Sequence, residues 1–227
     1  RICPPLSAPP AAAVAAAAVI GVGVAMYSAT SSVQLMKANL TTLLGSQAAA
    51  AQQFDNLAAF AAKTPFSIEQ SVEAYTKLGM LNLDNSSASM TAYGNIAAAT
   101  GKSMTQIAEA MADGAMGDMA RLGELNVKAR QEGDKLRVSF GGVTKTIGNN
   151  SKEIQAYMKE LGETNFAGAM ERQSQTIAGS MSNLKDSIFL MFAEMGDGGF
   201  ASGLTDVFNW LAETVVTLTP LFASIVD

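Results

Sequence analysis

Histidine is absent from this chain of 227 residues, and cysteine occurs once, as Cys3. The first absence removes the Ser-His-Asp and Cys-His nucleophile arrangements, and with the second it removes Cys/His zinc sites and any disulfide framework within the chain. Aromatic residues are scarce at 7%, although apolar residues in total reach 48%. Alanine and 13 methionines make up much of the difference, a composition that favours helices and cores that repack easily. Charge is sparse and uneven. Fifteen bases face 20 acids for a net charge of −5, residues 2–36 carry no charge, and six acids but no base follow Lys185. Tight nucleic-acid binding needs a Lys/Arg face that displaces counterions, which this balance does not supply.

What is present suffices to bury a core in one large or two small domains, so the chain is not disordered throughout. It starts at Arg1 and reads as a segment of a longer protein. Residues 1–10 include Pro4, Pro5, Pro9 and Pro10 and read as a linker, because proline lacks an amide donor and favours extended backbone. Residues 11–32 form an Ala/Val/Gly-rich apolar helix. Within it the uncharged run 11–26, with Val14, Val19, Ile20, Val22 and Val24, reaches the length of a membrane span. Alanine buries little area, however, and Gly21 and Gly23 permit close helix approach, so a packed helix and a membrane segment both remain open.

Residues 33–163 read as one compact module. Val33, Met36, Leu40 and Leu43, then Ala50, Phe54, Leu57 and Ala61, follow the three-and-four spacing of one helix face. Gly45-Ser46 is either a stop and a new N-cap or a point on one continuous helix. Pro65 disfavours helix at Thr64, and Ser67 with Gln70 forms a capping box, as do Ser103 with Gln106 after Gly101. Asn150 with Glu153 is a weaker third case. Between about 125 and 147 the period changes to two, with Leu136, Val138 and Phe140 on one face. Gly141-Gly142 predicts a hairpin pairing Phe140 with Val143, Val138 with Lys145 and Leu136 with Ile147. Gly133-Asp134 is a second turn, with Asn126 to Gln131 as a third strand.

Residues 164–196 read as a long amphipathic helix. Ala167, Met170, Ser174, Ile177, Met181, Leu184, Ile188, Met191 and Met195 step by three and four without interruption, a heptad pattern. Such a stripe either packs on its own domain or associates with a second copy of the chain. Residues 197–227, with Trp210, form a last apolar helix whose Asp206 and Glu213 suit an interface or a protein surface better than a membrane span. The expected fold is therefore mainly α, with a small three-stranded α+β element followed by the long helix.

No residue set calls for catalysis, a cofactor or a metal. Glu124, Glu132 and Asp134 cluster in sequence near the hairpin, but acids at turns and caps are normally solvated. Gly94, Gly101 and Lys102 lack the spacing of a phosphate loop.

Phe60 to Phe66 (Phe-Ala-Ala-Lys-Thr-Pro-Phe) followed by Tyr93 to Lys102 (Tyr-Gly-Asn-Ile-Ala-Ala-Ala-Thr-Gly-Lys) resembles the tape measure domain of phage and prophage tail proteins of long-tailed bacteriophages. Residues 104–130, the hairpin ending in Gly148-Asn149-Asn150, and the stretch Gly168 to Ser174 continuing through Asn183 to Asp186 follow in the same order, so the resemblance covers about 36–192. It implies a structural protein and not an enzyme, lying in the lumen of the virion tail, around which the tube polymerises and whose length sets tail length. Implied partners are itself, tail tube and tail tip proteins and tail assembly chaperones. The implied course runs from assembly in the host cytoplasm to ejection with the DNA, when the apolar run is a candidate for contact with the host membrane. The other reading kept for this chain is a membrane-active pore or translocation protein.

Overall fold

A computed structural model describes residues 11–197, without the side chains of 11–20, Ala115, 177–181 and Asp197. The Pro-rich start, the apolar segment from 198 onward, and the side chains of Val14, Val19, Ile20, Ile177 and Met181 lie outside that description. The described chain is mainly helical with one antiparallel three-stranded sheet, as the sequence predicts. It divides into two compact units, one running from Met36 to Ser187 and the other drawing on residues up to Leu35 and from Ile188 on.

Helix α1 spans Ala11–Leu44 and α2 spans Gln47–Ala61. Of the two readings at Gly45-Ser46, the structure takes the stop. Gly45 is left-handed at φ +71, and the Ser46 hydroxyl accepts the Ala49 N–H at 3.4 Å, a geometry that costs glycine nothing and closes one helix while opening the next. The expected face is the buried one: Ala50, Phe54, Leu57 and Ala61 on α2, with Met36 and Leu40 on α1. Lys37 lies over the Phe54 ring at 5.0 Å.

Three capped helices follow, α3 (Ile68–Met80), α4 (Ser87–Thr100) and α5 (Met104–Ala115). Both capping boxes are complete, with Ser67 and Gln70, and Ser103 and Gln106, satisfying each other's backbone amides. Gly101 ends α4 at φ +68. After the short α6 (Ala120–Glu124) come the strands β1 (Lys128–Glu132), β2 (Lys135–Phe140) and β3 (Val143–Gly148). The β2–β3 register is the predicted one, and Gly141 and Gly142 both have positive φ, at 58° and 83°, as a two-residue turn of this hand requires. β1 pairs with β2 from Lys128 to Glu132 and begins later than predicted, because Asn126 is itself left-handed at φ 59 and turns the chain into the strand.

The sheet buries Leu136, Val138 and Ile147 and packs through β3 on α7 (Ser151–Glu163). Lys145, the one charge on that apolar face, reaches Glu160 of α7. Asn150 caps α7 by accepting the Glu153 N–H at 3.1 Å. Helices α4, α5 and α7 pack on one another as the centre of the unit, around Tyr93, Ile96, Ile107, Met111 and Ile154.

The long helix expected over 164–196 is divided in the structure. Ala167 lies in a turn, α8 covers Ala169–Ser174, and α9 covers Ile177–Asp197. At the break the Thr176 hydroxyl donates to the Gln173 carbonyl at 2.7 Å, a local bond that competes with helix continuation. α8 is anchored independently by its contacts with α4. The heptad spacing runs across both pieces in phase, so periodicity alone does not disclose the interruption.

In the other unit α1 buries Met26, Ala29 and Val33, and the end of α9 buries Ala193. The Thr30 hydroxyl donates to the Ala193 carbonyl at 3.4 Å, and a Cβ at Gly196 would overlap Thr30. The two helix segments therefore touch closely.

Candidate functional site

The segments that carry the tape measure resemblance are far apart in sequence and meet at one cleft of about 730 Å³. It is lined by Phe60, Lys63 and Thr64 from the first, Asn95 from the second, and Gly168, Met170 and Glu171 from the third. Asn95 is the joint between them. It is buried within α4, donates to the Gly162 carbonyl of α7 at 3.2 Å, and accepts the Met170 N–H of α8 at 3.1 Å. One side chain thus satisfies backbone groups of two neighbouring helices. The helices approach closely beside it, since a Cβ at Gly94 would lie 2.7 Å from the Met170 sulfur and one at Gly162 would lie 2.6 Å from the Ala92 carbonyl carbon.

A second buried polar group ties α9 to α3. Asp186 is 8% exposed, and its carboxylate accepts the Ile68 N–H at 3.1 Å in the first turn of α3. Burial, reinforced by the nearby Glu69 carboxylate, pushes its pKa up to about 6, against the lowering effect of that hydrogen bond. A carboxyl raised this way binds its proton more tightly folded than unfolded. Its stabilising contribution is complete below the ordinary carboxylate pKa near 4 and is lost as pH rises through about 6. At about 1.4 kcal/mol per pH unit, the loss is no more than about 3 kcal/mol. Asp186→Asn should therefore flatten the pH dependence of unfolding between about pH 4 and 7 and raise the unfolding midpoint at about pH 7.5. Denaturant titrations at several pH values measure this; a variant that is less stable than the parent at the higher pH would show that the charge is favourable where it sits.

The acids considered for chemistry do not converge. Glu124 pairs with Lys102 at 2.7 Å and Glu132 with Arg137 at 3.4 Å. The Glu124 carboxyl is held below its usual range by the Lys102 hydrogen bond, the opposite of what a general acid needs. Glu109, between Lys77 and Arg121, is lowered for the same reason. Lys77, Glu109, Asp113 and Arg121 form a surface ion-pair network over α3, α5 and α6, with the Lys102–Glu124 pair beside it, whereas Glu132 and Arg137 pair apart from it on the sheet.

The family model described as tape measure protein matches residues 25–197. The chain belongs to the tape measure protein family. No curated protein and no solved structure matches it. Members of this family are structural proteins of phage tails.

Apolar side chains stand on the surface of two helices of this family member. On α9, Leu184, Ile188, Met191 and Met195 fall on the side opposite the buried Asp186 and Ala193, by the 3.6-residue helical repeat. Leu184 is 52% exposed. Met170, by contrast, is buried beside Asn95 and serves the core of the chain itself. On α1, Val24 and Tyr27 are exposed. Among the described residues no helix is long and apolar enough to cross a membrane. Sequence reasoning did not single out Asn95 or Asp186. The available signal was a polar residue on an otherwise apolar helix face: Asn95 between Tyr93 and Ile96, and Asp186 one heptad before Ala193.

Proposed function

We propose that this chain works as the scaffold in the lumen of the phage tail, templating assembly and length of the tube and leaving with the DNA at infection. Copies associate through α9, and the remaining partners are tail tube and tip proteins and tail assembly chaperones. The observation that carries this reading is the match over residues 25–197; the outward apolar side of α9 supports the self-association. Leu184→Asp combined with Ile188→Asp should convert an oligomer to a monomer in sedimentation, and an unmutated chain that is already monomeric sinks that part. Electron microscopy of the parent particle tests the location, because density for this chain outside the tail lumen would refute it.

The uncharged run 11–26 supports a further stage, contact with the host membrane during ejection. A peptide of these residues should float with liposomes, and Val19→Lys with Ile20→Lys should abolish flotation; no flotation of the parent peptide removes this stage and the pore reading with it.

A further inference from the structure

A groove of about 210 Å³ runs between the end of α1 and the length of α3. Leu43 of α1 lies so near Gly79 of α3 that a Cβ there would come within 2.8 Å of its methyl groups. Along the groove the apolar lining is Met36, Val72 and Met80, bordered by the exposed Asn39, Glu69 and Glu73. Met80 is 66% exposed, an unusual position for a large apolar side chain.

Two polar features show that the groove is incomplete as it stands. Thr76 borders it at 9% exposure with a buried hydroxyl that has no hydrogen-bond partner among the described residues. The lining holds one base, Lys77, and this is committed to Glu109 at 3.0 Å. Among the described residues neither Glu69 nor Glu73 has an ion-pair partner, and the buried carboxylate of Asp186 adds to the same negative field beside Glu69. An apolar, methionine-bearing channel whose exposed acids have no ion-pair partner is the complement of a helix with one apolar and one basic face.

We propose that the α1–α3 groove docks a basic amphipathic helix of another polypeptide, seating one or two apolar side chains against Met36, Val72 and Met80 and placing Lys or Arg over Glu69 and Glu73. The volume limits the inserted part to one or two side chains, so the partner helix lies along the surface. Lys-rich or Arg-rich helices are selected over acidic ones, because a like charge opposite Glu69 and Glu73 is repelled in a partly dry setting.

The test uses a fluorescent helix of Leu and Lys in amphipathic phase, about 15 residues long so that it holds together in water, titrated by anisotropy against the whole chain, with a Leu/Glu helix of the same phase as comparison. The Leu/Lys helix should bind, and the Leu/Glu helix at least about tenfold more weakly. Glu69→Lys with Glu73→Lys should weaken binding by about tenfold or more, and Met80→Ser, a change at an exposed site that leaves the fold intact, should weaken it as well. Asp55→Lys with Glu163→Lys makes the same change in net charge elsewhere and should leave binding unaltered. The proposal is overturned if the Leu/Lys helix does not bind, if the Leu/Glu helix binds equally well, or if the distant pair weakens binding as much as the groove pair does.

Discussion

Replacing Gly162 with alanine should destabilise the Met36–Ser187 unit by about 3 kcal/mol, the upper part of the range for forcing a methyl into a packed core. The added carbon would lie 2.6 Å from the Ala92 carbonyl carbon, 2.7 Å from its Cα, and nearer still to its oxygen. All three are main-chain atoms of α4, so no rotamer change relieves the overlap and α7 must move as a body. That movement also lengthens the hydrogen bond from Asn95 to the Gly162 carbonyl and disturbs the Asn95 contact with α8. Denaturant unfolding followed by far-UV circular dichroism reads the change in midpoint. A loss below about 1 kcal/mol would mean that α4 and α7 separate cheaply and that the crossing does not organise the unit.

Valine at both Gly141 and Gly142 should cost a few kcal/mol for a different reason. Both positions have positive φ, 58° and 83°, with open space around the missing side chains. The penalty is therefore backbone strain alone, about 1–3 kcal/mol at each position for a β-branched residue. The single change Gly141→Asn, with Gly142 kept, should retain almost all the stability, since asparagine tolerates this region. If the double valine variant unfolds at the parental midpoint, the turn has rearranged and the sheet does not depend on its register.

Much of this fold is legible in the sequence because its signals are local. A serine followed three residues later by glutamine caps a helix through groups that the sequence itself places together, as at Ser67 and Ser103. The hairpin is legible for the same reason, since alternation and Gly-Gly fix the register between residues a few positions apart. The cap at Ser86 is less legible: it relies on Asp84 and Ser89 in a serine-rich stretch, and no glutamine or glutamate stands at the third position. The joints made by Asn95 and Asp186 are non-local, spanning 67, 75 and 118 residues of chain. A single polar residue in an apolar pattern shows that something must satisfy it, but not which distant backbone group does so. The division of the long helix is hidden for a related reason: the stripe keeps its phase through Gln175 and Thr176, so only the anchoring of Met170 on α4 reveals that the first piece belongs elsewhere.

The composition of β1 bears on how densely copies of this protein can be held together. Lys128, Arg130 and Glu132 lie exposed on this outer strand, and within the described sheet β1 has a neighbour only on the β2 side. An uncapped strand offers its free amides and carbonyls to any similar strand nearby, and crowding raises the chance of such an encounter. Two β1 strands approaching edge to edge would bring these long charged side chains against one another and strip them of water, which opposes pairing. Crowded copies would thus remain separable at this edge, so that a high local concentration of the protein would not by itself seed a growing fibre through β1.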